Sequence, residues 1–557
     1  MSSKVYLAAI FLLGVTVLVM TGLGLPPGHS TAFNFAWSSQ YSQAVSWADP
    51  MPRYVPGLWA GFGGHDFFFY APLPFWVIGA LVAPLCGTCS AETELVFGAA
   101  LFLAASALSM FAFLRSSFGA PPALVGALVY VFLPYHFLLD WFERQAIGEF
   151  AAFAFLPLIA LGVERVRQGT GGGAILALGV AGTALSHLPT ALLAGHVFAV
   201  VCLVFTFAAP GGWADRLWVF ARFAWFAALG LLLSAFYWLP AVMLLDSVSS
   251  SVLFDPYFEA WRWLYGVGTT QPNPGFAVRV LLCFVVAVPI VLASLTYTRG
   301  ATMIWIVVPV AFVALMNMTV SEPIWRNWII GRVQFPWRMM SFVDLATAVA
   351  VAVLAARAME QGAKRLAALA LAVAVLPYGY LAGTIIYSLP GVSAAQVYTD
   401  WVGGAEYLSP ETSEVLRARM GREELTHFDQ TAIATAFAEM VTEFNARGVG
   451  AEILDRTPRS LTVQPAPDTE VLSLPVQYWF LWQAETGSGA ALQTRANADF
   501  GTLDVLAPTG GFDGGEITVF LPYHRSEVWG AGLSVFALVL LFAGHLRSAA
   551  ARRLRNG

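Results

Sequence analysis

Acidic and basic side chains gather between two apolar segments, in the stretch LPYHFLLDWFERQAIGEF, which carries Asp140, Glu143, Arg144 and Glu149. A guanidinium group can clamp a phosphate or a carboxylate through two parallel N–H donors. A carboxylate can take the proton of an acceptor hydroxyl, and a helix N-terminus favours its ionised form. We predict that Arg144 binds phosphate and that Glu149 and Asp140 are catalytic. The alternative is an Arg–Glu pair that only holds two helices together.

A polar loop near the start of the chain, residues 25–94, contains a second group within PPGHSTAFNFAW, ADPMPRYVP and GFGGHDFFFYAPLPFW. This composition predicts a sugar-binding loop in which Asp66 is a candidate base. Asp66 and His65 could instead hold a divalent metal such as Mg or Mn, and an ordinary polar loop is the remaining alternative. The predicted substrate-binding residues of the loop are His29, Asn34, Trp37, Arg53, His65 and Tyr70.

Two further polar groups lie beside apolar segments. In GRVQFPWRMMSF, Arg332 and Arg338 flank Gln334 and an aromatic ring. Two cations next to an aromatic suit the phosphate of a polyprenyl lipid, although arginine also reaches lipid headgroups without further function. In SHLPT, His187 is a candidate substrate-binding residue or a packing residue.

The composition excludes several classes of protein. Hydrophobic residues make up 58% of the 557 residues and charged residues 11%, against roughly 25% charged residues in soluble domains. The net charge of −5 argues against a nucleic-acid partner, which needs clustered Lys and Arg. The sequence has no P-loop, dinucleotide-binding, zincin or nucleophile-elbow motif, so a nucleotide-driven pump or a serine hydrolase has little support.

Long apolar runs predict a polytopic α-helical membrane protein with about twelve spans, since about 20 apolar residues cross a bilayer. The run Val5 to Gly24 is interpreted as an uncleaved first helix. The predicted spans are Val5 to Gly24, Leu95 to Leu114, Pro122 to Leu139, Phe150 to Val163, Gly173 to Leu185, Thr190 to Ala209, Phe223 to Leu245, Val280 to Leu295, Ala301 to Leu315, Met339 to Leu354, Leu366 to Ile386 and Trp529 to Leu546.

The positive charges predict the orientation, because short loops rich in Lys and Arg stay cytoplasmic. Both termini are then cytoplasmic, provided that the proline-rich stretch Tyr70 to Leu85 is re-entrant or interfacial rather than a span. The predicted cytoplasmic charges are Arg115, Arg165, Arg167, Arg216, Arg222, Arg299, Arg357, Lys364, Arg365 and the tail Arg547 to Arg555.

The chain divides into a transmembrane module (1–387), an outer α+β domain (388–528) and a last helix with a basic tail (529–557). Residues 411–448 have apolar positions at helical spacing, and the stretches after residue 460 alternate like strands, which predicts helices followed by a small β-sandwich. Of the four cysteines, Cys202 and Cys283 are predicted to be buried. Cys86 and Cys89 share a short loop in which a disulfide is plausible.

The order of these clusters resembles a bacterial membrane family labelled 6-pyruvoyl-tetrahydropterin-synthase-related, which is grouped with the C-superfamily (GT-C fold) glycosyltransferases. The matching stretches are MPRYVPGLWAGFGGHDFFFYAPLPFW, YVFLPYHFLLDWFERQAIGEFAAFAFLPL, LSHLPTALL, SAFYWLPA, QFPWRMMSF and GGAEYLSP. The resemblance implies a GT-C-like helical bundle in the bacterial inner membrane with a periplasmic domain. Where the family often has an acidic residue early in the first loop, this chain has Ser30.

Two functions follow as hypotheses. The resemblance implies transfer of a sugar, with inversion, from a polyprenyl-phosphate donor to a lipid, glycan or protein acceptor. The alternative is a non-catalytic protein that handles or organises envelope lipids or polysaccharide on the same fold, which Ser30 favours.

Overall fold

Helices form the chain up to residue 389. The computed structural model describes residues 3–254, 256–361, 364–389, 403–426, 429–448, 450–466, 469–509, 511–512 and 514–556. The helices of this part are α1 (Ser3–Leu23), α2 (Thr31–Ala44), α3 (Asp66–Phe69), α4 (Leu73–Val77), α5 (Ala83–Cys86), α6 (Ala91–Phe118), α7 (Ala120–Phe132), α8 (Ile147–Ala152), α9 (Leu156–Arg167), α10 (Gly173–Ser186), α11 (Leu188–Ala208), α12 (Trp213–Leu233), α13 (Ala235–Met243), α14 (Pro274–Leu295), α15 (Ala301–Met316), α16 (Glu322–Trp325), α17 (Met340–Gln361) and α18 (Lys364–Ser388).

The described residues contain ten helices that are long and apolar enough to cross a membrane. Two shorter apolar helices, Gly173–Ser186 and Ala301–Met316, match the other two predicted spans, so the polytopic helical fold is confirmed. A third, Leu73–Cys86, covers most of the stretch predicted to be re-entrant. The ten are Val5–Leu23, Ala91–Phe118, Ala120–Glu143, Ile147–Arg167, Leu188–Ala208, Trp213–Leu233, Pro274–Leu295, Pro336–Glu360, Lys364–Ser388 and Arg525–Gly544.

The span predicted from Phe223 to Leu245 has different bounds in the structure. Helix α12 begins at Trp213 and ends at Leu233, and α13 starts as a separate helix after Ser234. The sequence placed the start too late because Arg216 and Arg222 indicated a loop. In the structure, these arginines belong to a helix whose first turn is capped by Asp215, which accepts a hydrogen bond from the Gly212 N–H at 3.1 Å.

A π-helical segment, Tyr135–Glu143, follows α7. It begins after Pro134, which has no N–H to donate to an α-helical bond, and the Arg144 N–H closes the wider turn on the Leu139 carbonyl at 2.8 Å. Such segments are frequent at functional sites. This one contains Asp140 and Glu143 of the predicted charged cluster and ends one residue before Arg144.

The described residues from 403 onward form two α-helices, two antiparallel sheets and then the last long helix. The strand order is β1-β2-β8-β4-β5 in the larger sheet and β3-β7-β6 in the smaller one. Buried side chains alternate with partly buried ones along β2 and most of β3, as predicted for a small sandwich. The elements are α19 (Pro410–Met420), α20 (Gln430–Arg447), β1 (Ala451–Thr457), β2 (Ser460–Pro465), β3 (Val471–Gln477), β4 (Gln483–Thr486), β5 (Ala491–Leu492), β6 (Thr494–Ala496), β7 (Thr502–Leu506), β8 (Ile517–Phe520) and α21 (Arg525–Asn556).

The sheet domain is attached to the loop after α2. The Gln477 N–H donates to the Phe62 carbonyl at 2.8 Å, so backbone joins backbone across the junction. At the start of α21, the carboxylate of Glu527 binds Arg459 of the domain at 2.5 Å and Arg53 of the loop at 3.1 Å. These contacts hold the loop between the bundle and the domain.

The cysteines behave as predicted. Cys86 and Cys89 form a disulfide with their Cα atoms 5.5 Å apart. Cys202 and Cys283 are free and buried in the bundle.

Candidate active site between the bundle and the C-terminal domain

Two buried guanidinium groups share one carboxylate at the end of the π-helical segment. Nη1 of Arg144 lies 2.6 Å from Asp140 Oδ1 and 2.8 Å from Glu149 Oε2. Nε of Arg338 lies 3.4 Å from the same Oε2 atom. Asp140, Arg144 and Glu149 of the sequence cluster therefore form one charged group with Arg338, which lies just before helix α17.

Tyr135, Trp337 and a backbone carbonyl complete this arginine cluster. The Tyr135 hydroxyl donates to Glu149 Oε1 at 2.5 Å, so both oxygens of Glu149 are occupied. The guanidinium group of Arg144 lies over the Trp337 ring, 4.6 Å from its centroid. Arg338 is anchored by a bond from Nη1 to the Val333 carbonyl at 2.8 Å. Glu149 thus holds two cations in place, while further N–H groups of Arg144 stay open for an anion, since only its Nη1 atom has a hydrogen-bond partner among the described residues.

The first loop is fixed directly onto the charged stretch. The His29 N–H donates to the Glu143 carbonyl at 2.9 Å, and the Ser30 N–H donates to the Arg144 carbonyl at 2.8 Å. A side chain at Gly28 would place its Cβ 3.0 Å from the backbone of Arg144, which explains the glycine at this close approach. These contacts position the backbone that carries the Arg144 side chain.

Asp66 occupies the opposite wall of the site. It is fully buried, and its Oδ1 accepts hydrogen bonds from Trp37 Nε1 at 2.8 Å and from the Gly404 N–H at 3.1 Å. Oδ2 has no hydrogen-bond partner among the described residues. Burial raises the pKa of Asp66 to about 6, and the two hydrogen bonds oppose this shift only in part.

A carboxylate that the sequence analysis did not select, Glu406, reaches the site from the C-terminal domain. It lies in a short helical turn, Ala405–Tyr407, where Tyr407 stacks on Phe69 with ring centroids 5.8 Å apart. Glu406 is half-buried between buried neighbours. Burial raises its pKa to about 7, with a further contribution from Asp66. The only sequence signal for it was the GGAEYLSP stretch of the family resemblance.

Tyr70 and His187 lie between the two walls. A Cβ built on Gly148, the residue before Glu149, would lie 3.5 Å from both the Tyr70 hydroxyl and the His187 ring. The Tyr70 hydroxyl interacts electrostatically with Arg338, Glu406, Arg144 and Glu149. The Trp37 ring packs on Tyr70, with 4.4 Å between centroids. The structure therefore brings together seven predicted residues, namely Trp37, Asp66, Tyr70, Arg144, Glu149, His187 and Arg338, with Asp140 behind Arg144.

The remaining predicted residues lie outside this centre. Arg53 pairs with Glu527, and the amide of Asn34 donates to Gln145 Oε1 at 2.9 Å. Gln334 donates to the Leu253 carbonyl at 2.9 Å and accepts a hydrogen bond from Nη1 of Arg338 at 3.5 Å, so it borders the arginine cluster. Arg332 is exposed on the surface. The contacts of Arg53, Asn34 and Gln334 favour positioning and packing over direct binding, and His29 lines a separate cavity described below.

The Mg or Mn site predicted at Asp66 and His65 is not formed by these two residues. His65 is fully buried against the rings of Tyr54 and Trp479, at centroid distances of 5.3 and 4.5 Å, and burial lowers its pKa to about 3. The part of the chain that the structure describes contains no group of three His, Cys, Asp or Glu side chains able to hold a metal ion. Mg²⁺ prefers oxygen ligands and usually binds through one or two carboxylates together with waters and substrate phosphates, so the imidazole of His65 does not suit it, and the chemistry below is derived from the protein's own groups.

An apolar cavity of about 690 Å³ lies between helices α9 to α13. It begins at Leu188, the residue after His187, and continues along α11 past Gly195 to Cys202. Apart from Thr183 and His196, its lining is made of apolar or aromatic side chains and Gly195. The lining of this apolar cavity therefore starts one residue after His187 of the polar site.

No family model matches the chain, and no curated protein matches it in sequence. Solved structures show distant likeness. Arabinofuranosyltransferase AftD from Mycobacteria is 17% identical, over 70% of this chain and 28% of that chain, with a TM-score of 0.43. The oligosaccharyltransferase AglB from Archaeoglobus fulgidus, in complex with an inhibitory peptide and a dolichol-phosphate, is 13% identical over 76% and 59%, with a TM-score of 0.39.

ArnT from Cupriavidus metallidurans bound to undecaprenyl phosphate is 13% identical over 64% of this chain and 78% of that chain, with a TM-score of 0.31. This chain spans less than a third of the length of the AftD structure and about three fifths of the AglB structure. The function proposed below is argued from the residues of this chain.

Proposed function

We propose that the protein is a membrane glycosyltransferase that moves a sugar from a polyprenyl-phosphate donor to a hydroxyl group of a lipid, glycan or protein acceptor. The observation that carries the proposal is the combination of two buried arginines, two carboxyls of raised pKa and an apolar cavity whose lining starts one residue after His187. A phosphate, a sugar and a long hydrocarbon chain each find a matching environment there.

The arginines suit a phosphate that leaves with the bonding electrons. Arg144 and Arg338 are fixed by Glu149 and by the Trp337 and Phe335 rings before any ligand arrives. Donors held in place in this way stabilise developing negative charge without reorganisation. Glu149, whose two oxygens are already occupied, and Asp140 then serve to hold the arginines rather than to take a proton.

The two raised carboxyls suit a general base. A carboxyl with a pKa of about 6 or 7 is ionised near neutral pH and still binds a proton well. Asp66 is fully buried, whereas Glu406 is partly open, so we assign proton removal to Glu406 and its positioning to Asp66. Ser30 stands where the related family often has an acidic residue, and here it donates its backbone N–H to the Arg144 carbonyl. In this scheme, Asp66 and Glu406 supply the carboxylates that the site needs.

The reaction is then one displacement at the anomeric carbon. The acceptor oxygen forms a bond to that carbon as the bond to the phosphate oxygen breaks. The acceptor proton passes to Glu406, and the arginines retain the phosphate with its added charge. Attack from the side opposite the phosphate inverts the configuration.

We further propose membership of the 6-pyruvoyl-tetrahydropterin-synthase-related family and a GT-C fold, on the motifs given above. The positive loops favour a bacterial inner membrane location with both termini in the cytoplasm and the C-terminal domain in the periplasm.

The direct test is a transfer assay. Purified protein is incubated with polyprenyl-phosphate sugars and envelope extract, and lipids and glycans are followed by mass spectrometry. We expect the mass of one sugar to be added to an acceptor and free polyprenyl phosphate to be released in equal amount. Binding of the donor without any transfer would instead favour the non-catalytic lipid-handling function.

The apolar cavity gives a second expected result. A Cβ at Gly195 meets nothing within 4 Å, so a Gly195→Phe variant is expected to fold and to fill part of the cavity. Each buried CH₂ of a lipid chain contributes about 0.8 kcal/mol. We therefore expect binding of a long-chain polyprenyl phosphate to weaken at least about tenfold, with no change for a two-isoprene analogue.

The matched control is Gly14→Phe, because Gly14 also lies in a membrane helix and a Cβ there also meets open space. Affinity is measured by displacement of a fluorescent polyprenyl phosphate. Equal loss for the short and long chains would show that the cavity does not hold the hydrocarbon.

A further inference from the structure

A second cavity, of about 330 Å³, lies on the other side of the stretch that carries Arg144. It is formed by the segment before α2, the start of α14 and the end of α18. Its lining includes His29, Glu143, Asn273, Phe276 and Arg279. We propose that this cavity is a binding site for a neutral sugar unit, and that the unit belongs to the acceptor; the second part of the proposal rests on the proposed function.

Polar groups without partners line the cavity. Glu143 is 4% exposed, and its Oε1 pairs with Arg279 while its Oε2 has no hydrogen-bond partner among the described residues. A buried carboxylate oxygen without a donor costs free energy that a ligand hydroxyl would recover. Asn273 caps α14 through its Oδ1 atom, 3.1 Å from the Phe276 N–H, and this leaves its NH₂ group as a donor.

The charges of the cavity favour a neutral ligand. The positive charge of Arg279 is balanced by Glu143, and Nη2 of Arg279 is bound to the Thr384 carbonyl at 3.3 Å. An anionic headgroup would have to compete with the carboxylate, whereas hydroxyl groups can donate to Glu143 and accept from Asn273. The Phe276 ring, with the His29 ring 6.2 Å away, adds an apolar surface for the C–H groups of a sugar.

The place of the cavity connects it to the candidate active site. Glu143 and Arg144 are neighbours, and the backbone of His29 and Ser30 is bound to both. The Glu143 carboxylate lines the second cavity, whereas the Arg144 side chain belongs to the arginine cluster. A sugar bound at Glu143 would thus contact the residue that precedes the arginine proposed to bind the donor phosphate, and the cavity also reaches the end of α18 at Ser388 and Leu389.

The test measures direct binding of methyl glycosides of glucose, mannose and arabinose to the full-length protein in detergent. Saturation-transfer NMR detects the bound glycoside. We expect at least one glycoside to bind, and Asn273→Asp to weaken it at least fivefold. Aspartate caps a helix as well as asparagine does, so this variant keeps α14 while it loses the NH₂ donors. Glu143→Gln, which removes the acceptor charge, is the second variant, and Asn445→Asp on the exposed face of α20 is the matched control.

The outcomes separate the two proposals. Absence of binding by all three glycosides, or binding that both cavity variants leave unchanged, overturns the sugar site. Binding that depends on Glu143 and Asn273 in a protein without any transferase activity establishes the site and rejects the proposed reaction. An active enzyme whose KM for acceptor is unchanged in Asn273→Asp, although this variant binds the free glycoside more weakly, overturns the assignment to the acceptor.

Discussion

Sugar transfer is expected to fall below detection in an Arg144→Ala variant, and the protein is expected to lose thermal stability. The Arg144 side chain is 9% exposed and pairs with both Asp140 and Glu149. Removing one partner of a buried ion pair leaves a charge without compensation and costs about 3–5 kcal/mol. A folding defect alone could therefore explain a loss of activity, so a milder variant is needed.

Arg144→Lys supplies this variant. Lysine keeps the positive charge for the two carboxylates but lacks the planar fork that would bind phosphate. We expect it to remain folded by size-exclusion chromatography and to transfer sugar about 10²-fold more slowly. Arg326→Lys is the control, since Arg326 is exposed and paired only with Glu322 and the Trp261 ring among the described residues. Full activity in Arg144→Lys would show that the guanidinium group of Arg144 is not needed to bind the donor phosphate.

The second large effect is expected at Glu406. Glutamine has the same shape but cannot take a proton, so Glu406→Gln should retain the fold and lose about 10²- to 10⁴-fold in transfer rate. In the wild-type protein, the rate should rise with pH through about 6 to 7, because the base acts in its ionised form and burial raises both pKa values. The measurement is kcat against pH with saturating donor.

Asp66→Asn separates the roles of the two carboxyls. The negative charge of Asp66 raises the pKa of Glu406, so its removal should move the acid limb of the profile to lower pH with a smaller loss of rate. The asparagine Oδ1 atom can still accept the bonds from Trp37 and Gly404. A Glu406→Gln enzyme with wild-type rate and an unshifted profile would exclude Glu406 as the base.

The sequence predicted the helical fold and much of the charged centre for identifiable reasons. Long apolar runs can satisfy their backbone only as helices in a membrane, so the spans follow from length and hydropathy. Arg144 and Glu149 are five positions apart, and a turn between two helices brings such neighbours together. Arg338 was selected by residue type and its aromatic context, and the structure adds that it meets Glu149.

Other parts of the site could not be derived from local pattern. Glu406 comes close to Asp66 only because the C-terminal segment folds against the first loop. Hydrophobic periodicity in the sequence predicts local helices and strands, and it does not predict a contact between residues so far apart in the chain. His65 and Asp66 are adjacent in sequence, but the start of α3 directs them to different neighbours, His65 to Tyr54 and Trp479 and Asp66 to Trp37. Composition alone cannot distinguish the two, so both were candidates.

The hydrogen bond between Asp66 and Gly404 joins residues 338 positions apart. During synthesis, the first loop and both arginines leave the ribosome well before residue 406, and domains generally fold from the N-terminus onward. In the proposed enzyme, a nascent bundle could therefore hold a lipid phosphate but could not yet use it. Competence would arise only when the final domain has folded against the loop, so that synthesis itself delays the onset of turnover until the whole chain is in place.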